Sequence, residues 1–337
     1  MPLNKIFRIR RIPWKSASLQ RQDDPIFRYG DITLKKPIKR RPSEAAIKLQ
    51  QSTRRLDQKL QAWDALSPFE RRVMRYKMGL PRALYKYRPI PLEGDHVRRK
   101  QFEDLVLDNQ LWLSTVSSFN DPFEGHAAYD VPYTGTELRR QLERKYRELG
   151  YSSTAAKSMV RSDDVAHPER LSARAQQALE RTLGKIGINS LAATPFSPLL
   201  WAHYADSHKG LSVQLRPHVD LKVLRPHRVE YSDEYPILTD ILKPAAERDV
   251  LPMLRKSSDW KYEEEWRLVS EGRANFYQRF APEAMGAVIF GIRISDVDRA
   301  YVLGLMDERE RRYGMRPAVY QAKLHPRRYR IMVSRLR

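Results

Sequence analysis

The sequence predicts an α+β fold with a mixed or antiparallel central sheet and peripheral helices. Three observations carry this. Short runs rich in aromatic and β-branched residues alternate with helical patterns irregularly rather than as repeating βαβ units. The 337 residues are 41% hydrophobic, ample for a core. Neither GxGxxG nor GxxxxGK[ST] occurs and no internal repeat is visible, so a doubly wound nucleotide-binding sheet and a solenoid both lack support.

Composition narrows the function classes. No cysteine is present, which excludes disulfides, thiolate zinc sites and a cysteine nucleophile. No run of about 18 apolar residues occurs, and the arginines near the N-terminus lack the apolar segment of a secretory signal, so a cytoplasmic protein without a membrane span is expected. The net charge of +21, from 62 Lys and Arg against 41 Asp and Glu, suits a phosphate polymer, and DNA or RNA is the expected partner. The same charge balance also serves solubility or an anionic membrane surface.

Three regions follow in order. Residues 1–42 hold twelve Lys or Arg, three Asp and five prolines, and read as a basic arm whose Phe7, Trp14, Phe27 and Tyr29 suit stacking on bases or pinning to a surface. Residues 43–82 read as a helical extension: Ser43 caps a helix to about Asp64, and Ser67-Pro-Phe-Glu70 is a capping box that opens a second helix ending near Gly79. The main domain spans 83–337.

Within the main domain, Leu84-Tyr-Lys-Tyr-Arg88 alternates as a strand, with Leu84, Lys86 and Arg88 on one face and Tyr85 and Tyr87 on the other. A helix from His96 to about Asp108 and a strand at Leu111–Ser114 precede Ser118-Phe-Asn-Asp-Pro-Phe-Glu124. There Pro122 holds Asp121 out of helical geometry, and Asn120 and Asp121 can bond nearby backbone. A charged helical hairpin is inserted at about 136–184, broken near Gly150. Strands at 188–196, 211–215 and 228–231 enclose a short helix capped by Ser197, with Pro198 at its first position. A helix over 244–257, a strand over 284–291, a helix from Ser295 to about Arg312, and one or two basic strands over 317–334 complete the domain.

The most unusual stretch is Trp260-Lys-Tyr-Glu-Glu-Glu-Trp-Arg-Leu268. As a strand it places Glu263, Glu265 and Arg267 on one face and Tyr262, Glu264, Trp266 and Leu268 on the other, giving a charged face and a largely apolar one. Two carboxylates about 7 Å apart beside a guanidinium suit acid/base or cation-stabilising chemistry. A solvated edge strand with Glu–Arg pairs is the plainer alternative. Near the Ser197 cap, Trp201 and Tyr204 share a helix face, His203 points elsewhere, and His203 and His208 are badly spaced as metal ligands, so no metal site is expected.

Tyr85-Lys-Tyr-Arg88, Phe119-Asn-Asp-Pro-Phe-Glu124, Trp201-Ala-His-Tyr-Ala-Asp-Ser-His-Lys-Gly210 and Trp260-Lys-Tyr-Glu-Glu-Glu-Trp-Arg267 occur in that order. Together they resemble a widespread bacterial family known only as a domain of unknown function, over residues 83 to 295. That family is in turn similar to ADP-ribosyltransferases, especially those that modify DNA, in having an aromatic-and-arginine first strand, a middle strand leading to a Ser or aromatic helix, and a glutamate on a late strand. The resemblance implies NAD as a substrate and a defence or toxin role. By position it implies Glu265, with Glu263, as the carboxylate that opposes the ribosyl cation, with His203 and Tyr204 beside it. It further implies Arg88 or Arg267 on the pyrophosphate, Tyr87, Tyr204 or Trp201 against nicotinamide, and Ser197, Asn120 and Asp121 nearby. Glu263, Glu265, Asp121 and Glu124 alternatively suit Mg²⁺ for phosphodiester hydrolysis, and a non-catalytic nucleic-acid-binding protein is the third reading. A Glu265 that serves chemistry rather than structure is expected to tolerate glutamine with little loss of stability, whereas a drop of more than about 2 kcal/mol favours a structural ion pair.

Overall fold

A computed structural model describes residues 62–336 apart from 130, 132, 149 and 239–250. The basic arm, most of the helix expected from Ser43 and the start of that expected over 244–257 lie outside the described residues, which belong to one unit, 41–337. The chain enters through a 3₁₀ turn, Ala62–Ala65, and helix α1 (Pro68–Lys77), whose capping box between Ser67 and Glu70 forms as the sequence predicts. Trp63 anchors this extension: its ring is buried against Leu221, and its Nε1 donates to the His218 carbonyl at 3.0 Å.

Strand β1 (Leu84–Arg88), helix α2 (His96–Val106) and strand β2 (Gln110–Leu113) follow, then a two-residue strand β3 (Ala128–Tyr129). The insertion holds four helices rather than two: α3 (Gly135–Glu148), α4 (Ser153–Met159), α5 (Ser162–Ala166) and α6 (Pro168–Leu183). Leu138, Leu142, Val160 and Leu171 give it a small apolar cluster of its own. Next come β4 (Ile186–Ala192), α7 (Pro198–Tyr204), β5 (Leu211–Leu215), β6 (Pro226–Arg228), β7 (Glu230–Tyr231) and β8 (Ile237–Leu238).

Two expectations then fail. The described part of the helix expected over 244–257 is a 3₁₀ turn, Leu251–Met253, and a short strand β9 (Arg255–Lys256). The glutamate stretch is a 3₁₀ helix over Ser258–Glu263, and Glu264 turns the chain at a left-handed φ of 45° before β10 (Glu265–Glu271) begins. Ser257 starts that helix by accepting from the Asp259 amide, a local bond that outweighs the β preference of Trp260 and Tyr262. The chain ends with β11 (Phe276–Arg279), β12 (Met285–Phe290), α8 (Asp296–Tyr313), β13 (Ala318–Leu324) and β14 (Ile331–Arg335).

Eight strands form the main sheet in the order β14-β13-β12-β5-β1-β4-β10-β6. All its pairs are antiparallel except β12–β13, which are parallel because α8 carries the chain back between them. This is the α+β architecture the sequence predicts. One face packs Leu84, Phe102, Leu105, Val213 and Val302 beneath α2 and α8, and the other packs Tyr87, Trp201, Ile289, Ala322 and Ile331 beneath α7. The faces of β1 divide as its alternation predicts. Among the described residues, no helix is long and apolar enough to cross a membrane.

The turn after α7 sets the position of the first strand. Asp206, Ser207 and His208 take left-handed φ values of 44°, 50° and 71°, an unfavourable run for residues with a Cβ. It persists because it is tied down on both sides: the Gly210 amide donates to Ala205, and the Gly291 and Arg293 amides donate to Gly210 and His208. A Cβ on Gly210 would lie 2.2 Å from the Arg88 carbonyl oxygen. Gly210→Ala is therefore expected to cost about 2 kcal/mol or more, read as a lowered urea midpoint, and an unchanged midpoint would contradict this close packing.

Candidate functional site

The sheet forks at β4. On one tine, β1 meets β4 at a single pair, Tyr85↔Ala192, although β1 and β5 keep five consecutive pairs. On the other, Ser114, just past β2, exchanges both backbone hydrogen bonds with Ile188. Between the tines lies a cavity of about 500 Å³, lined from both sides by residues 85–88, 110–112 and 188–192. Two side chains brace the fork. The Lys86 Nζ donates to the Ser190 carbonyl at 2.9 Å, and the Asn189 Nδ2 donates to the Trp112 carbonyl at 2.8 Å.

One part of the wall is a buried charge cluster. Lys256, on β9, places its Nζ 2.7 Å from Glu263, 3.3 Å from Glu265 and 3.3 Å from Glu124. Behind it, Arg267 donates from Nε to Glu265 Oε1 at 2.8 Å, from Nη2 to Glu265 Oε2 at 3.0 Å and to Glu124, and from Nη1 to the Met253 carbonyl. Every one of these five side chains is almost wholly enclosed. The Tyr204 hydroxyl completes the group by donating to Glu263 Oε1 at 2.7 Å, beside Asn120. Glu265 and Arg267 share one side of β10 as the alternation predicts, while Glu263 joins them from the 3₁₀ helix and not by strand alternation; that side is the interior, so the solvated edge strand is ruled out.

Three carboxylates share two cations, and they do so unequally. Burial opposes the charge of Glu265, yet Arg267 and Lys256 outweigh it and hold the carboxyl down at about 2. Burial dominates at Glu124 and raises its pKa despite Arg267 and Lys256, with the Glu265 charge adding to the rise. For Lys256, burial pulls the other way, but the three carboxylates prevail and keep the amine protonated. The cluster thus contains one firmly ionised carboxylate and one that takes up a proton more readily, a division of the kind acid/base chemistry uses.

The rest of the wall is cationic. Lys86 and Arg88 share one side of β1, and neither faces a carboxylate at ion-pair distance among the described residues. The Arg88 Nε is enclosed without a hydrogen-bond partner, and burial lowers the Arg88 pKa. Burial, followed by the Arg88 charge, lowers Lys86 to about 7 against the pull of Glu265. Lys86 therefore lies within electrostatic reach of both Arg88 and the acid cluster.

Of the residues singled out from the sequence, Glu263, Glu265, His203, Tyr204, Tyr87, Arg88 and Asn120 line this cavity. Four others do not. Trp201 has no exposed surface: its ring meets Tyr87 edge-on at 5.1 Å and its Nε1 donates to Pro195, so it cannot stack on a ligand. Arg267 is fully enclosed behind Glu265 and holds carboxylates rather than a phosphate. Ser197 caps α7 by accepting from Leu200, and Asp121 accepts from the Phe123 amide inside its own turn. The pairing of Trp201 with Tyr204 on one ligand-facing side also fails, because Tyr204 reaches the cavity with His203 while Trp201 enters the core. Glu124, singled out with the carboxylates of the Mg²⁺ alternative, lines it too, and the cavity adds Lys86, Ser190 and Lys256.

A divalent cation finds little room among these carboxylates. The Lys256 ammonium occupies the point where Glu124, Glu263 and Glu265 converge, and among the described residues no group of three His, Asp or Glu is arranged to hold a metal ion. Compared with known proteins, the chain matches no family model, no curated protein and no solved structure.

Removing one member of the cluster strands the others. Lys256→Met and Glu265→Gln are each expected to cost about 3–5 kcal/mol by denaturant titration, the size of loss that marks Glu265 as part of a structural ion-pair cluster. Lys86 gives the opposite sign. The unfolded chain keeps its proton to about pH 10.4, whereas the folded chain releases it near 7. Stability thus rises with pH between those values and is lowest where both states are protonated. Lys86→Met is expected to be more stable than the parent at pH 6 and to lack that rise.

Proposed function

We propose that the protein is an NAD-dependent ADP-ribosyltransferase acting on nucleic acid or a target associated with it. One observation carries the reading: Arg88, the His203–Tyr204 turn and Glu265, far apart in sequence, line one cavity, with an ionised carboxylate and an arginine that has no acidic partner among the described residues. The volume lies within the range of small-ligand sites. The net charge of +21 supports the acceptor class.

The chemistry follows from the wall. Cleavage of the bond between the ribose C1′ and nicotinamide leaves the bonding pair on the nicotinamide nitrogen, and positive charge develops at C1′. The fixed negative charge of Glu265 opposes it. Glu263 is held by Lys256 and Tyr204, which places a second carboxylate at the same wall. Arg88, with Lys86 beside it, offers donors to a pyrophosphate. Tyr204 and His203 keep surface toward the cavity and suit the flat nicotinamide ring, whereas Tyr87 supports that wall by donating from its hydroxyl to Thr194 at 2.8 Å. When the acceptor attacks C1′ it loses a proton, and Glu124 is the carboxyl whose raised pKa suits it to receive one.

Label transfer from NAD to mixed nucleic acid tests this directly. The parent protein is expected to transfer label. Arg88→Gln, which breaks no ion pair among the described residues, is expected to keep its melting temperature and lose about 100-fold in kcat/KM. A folded parent that transfers no label overturns the reading; Mg²⁺-dependent nicking would point to the nuclease, and salt-sensitive binding alone to a binding protein.

A further inference from the structure

The last two strands of the sheet carry charge that no ion pair answers among the described residues. Residues 311–337 contain nine Lys or Arg and no Asp or Glu. Arg311, Arg312 and Arg316 are committed to acids on or near α8. The cations of the β13–β14 hairpin are not: Lys323, Arg327, Arg328, Arg330 and Arg335 are exposed, and none has an ion-pair partner among the described residues. Cations clustered without counter-charge repel one another. A fold that keeps them side by side on a short loop gains nothing from them internally.

The loop also displays aromatic surface. It closes between the paired residues Leu324 and Ile331, and Tyr329 at its tip is fully exposed, flanked by Arg328 and Arg330. Arg330 lies over the ring of Phe196, 5.8 Å from its centroid, and Phe196 is itself exposed just before the Ser197 cap of α7. The base of the hairpin is rigid, because Ala322, Ile331 and Val333 pack in the same apolar cluster as Tyr87, Trp201 and Tyr204. Guanidinium groups alternating with rings, on a firm base at the α7 side of the cavity, match a backbone of phosphates carrying unstacked bases. An anionic bilayer would meet the cations equally well but has no use for a tyrosine standing between two arginines; a duplex would hide its base faces from the ring.

We propose that the β13–β14 hairpin is a docking site for single-stranded nucleic acid, with Arg327, Arg328 and Arg330 on phosphates and Tyr329 stacked on a base. The site rests on the nucleic-acid part of the function proposed above and is independent of NAD. It accounts for an acceptor strand being held next to the wall that carries His203 and Tyr204.

Fluorescence anisotropy of the full chain with a labelled single-stranded oligonucleotide, without NAD and across a salt series, provides the test. The Arg327→Gln/Arg328→Gln/Arg330→Gln variant is expected to bind at least 10-fold more weakly at 150 mM salt, with the slope of log affinity against log salt shallower by about 2. Tyr329→Ala is expected to lose about 5- to 100-fold with the slope unchanged. All four positions are exposed, so melting temperatures should match the parent. The same affinity and slope in the triple variant overturn the site, as does a loss confined to phosphatidylserine vesicles or an equal loss for duplex with none from Tyr329→Ala. Hairpin-dependent binding without label transfer overturns only the transferase reading; label transfer with hairpin-independent binding overturns only the docking site.

Discussion

The site depends on the Lys256 ammonium, enclosed among three carboxylates. Each of those carboxylates alone would be costly to bury, and together they would repel one another. Lys256 and Arg267 make the cluster tenable by tying the 118–124 turn, β9, the 3₁₀ helix and the start of β10 to common points. A surface Glu–Arg pair contributes at most about 1 kcal/mol; enclosure changes the balance because no water stands ready to replace a missing partner. The carboxylates of the cavity wall are therefore also the groups that close the structure around it, whereas Arg88, which has no ion-pair partner among the described residues, can be altered without breaking one of these ties.

Backbone geometry opens the space that this cluster faces. A continuous sheet would seal β1 against β4. Here the ladder stops after one pair and β4 turns its remaining edge to Ser114, so main chain and side chains from two tines border a void. Lys86 spans the gap with a bond to Ser190 that the missing ladder would otherwise have supplied. Its reduced basicity follows from that enclosure, so the same amine is both a brace and a group responsive to pH near neutrality.

Much of this was legible from residue order, and the parts that were not have physical causes. Alternation at 84–88 and 265–267 assigned faces correctly, because a strand buried differently on its two sides must show a period of two. Alternation says which residues stand together and not whether they look at solvent, so the charged side of β10 passed for a surface. Trp260 and Tyr262 resembled strand residues, yet a serine cap and one left-handed glutamate placed them in a tight helix. Lys256 went unread because it ends a segment that looked helical. Trp201 and Ser197 carried side chains suited to ligands, but a seven-residue helix needs an anchor and a cap, and these two fill those needs. The fork was beyond reach altogether, since strand pairing across a hundred residues leaves no local mark.

Glu124 and Arg267 are separated by 143 positions, and this fixes an order of events during synthesis. While the chain emerges from the ribosome, the Phe119–Glu124 turn is present long before any of its counter-charges. Until the segment past Arg267 is free, β4 lacks its neighbour β10 and the cavity lacks its acidic wall. A chain that has emerged only as far as β4 therefore has the cavity's first walls without the acidic one, and the cationic β13–β14 hairpin follows later still.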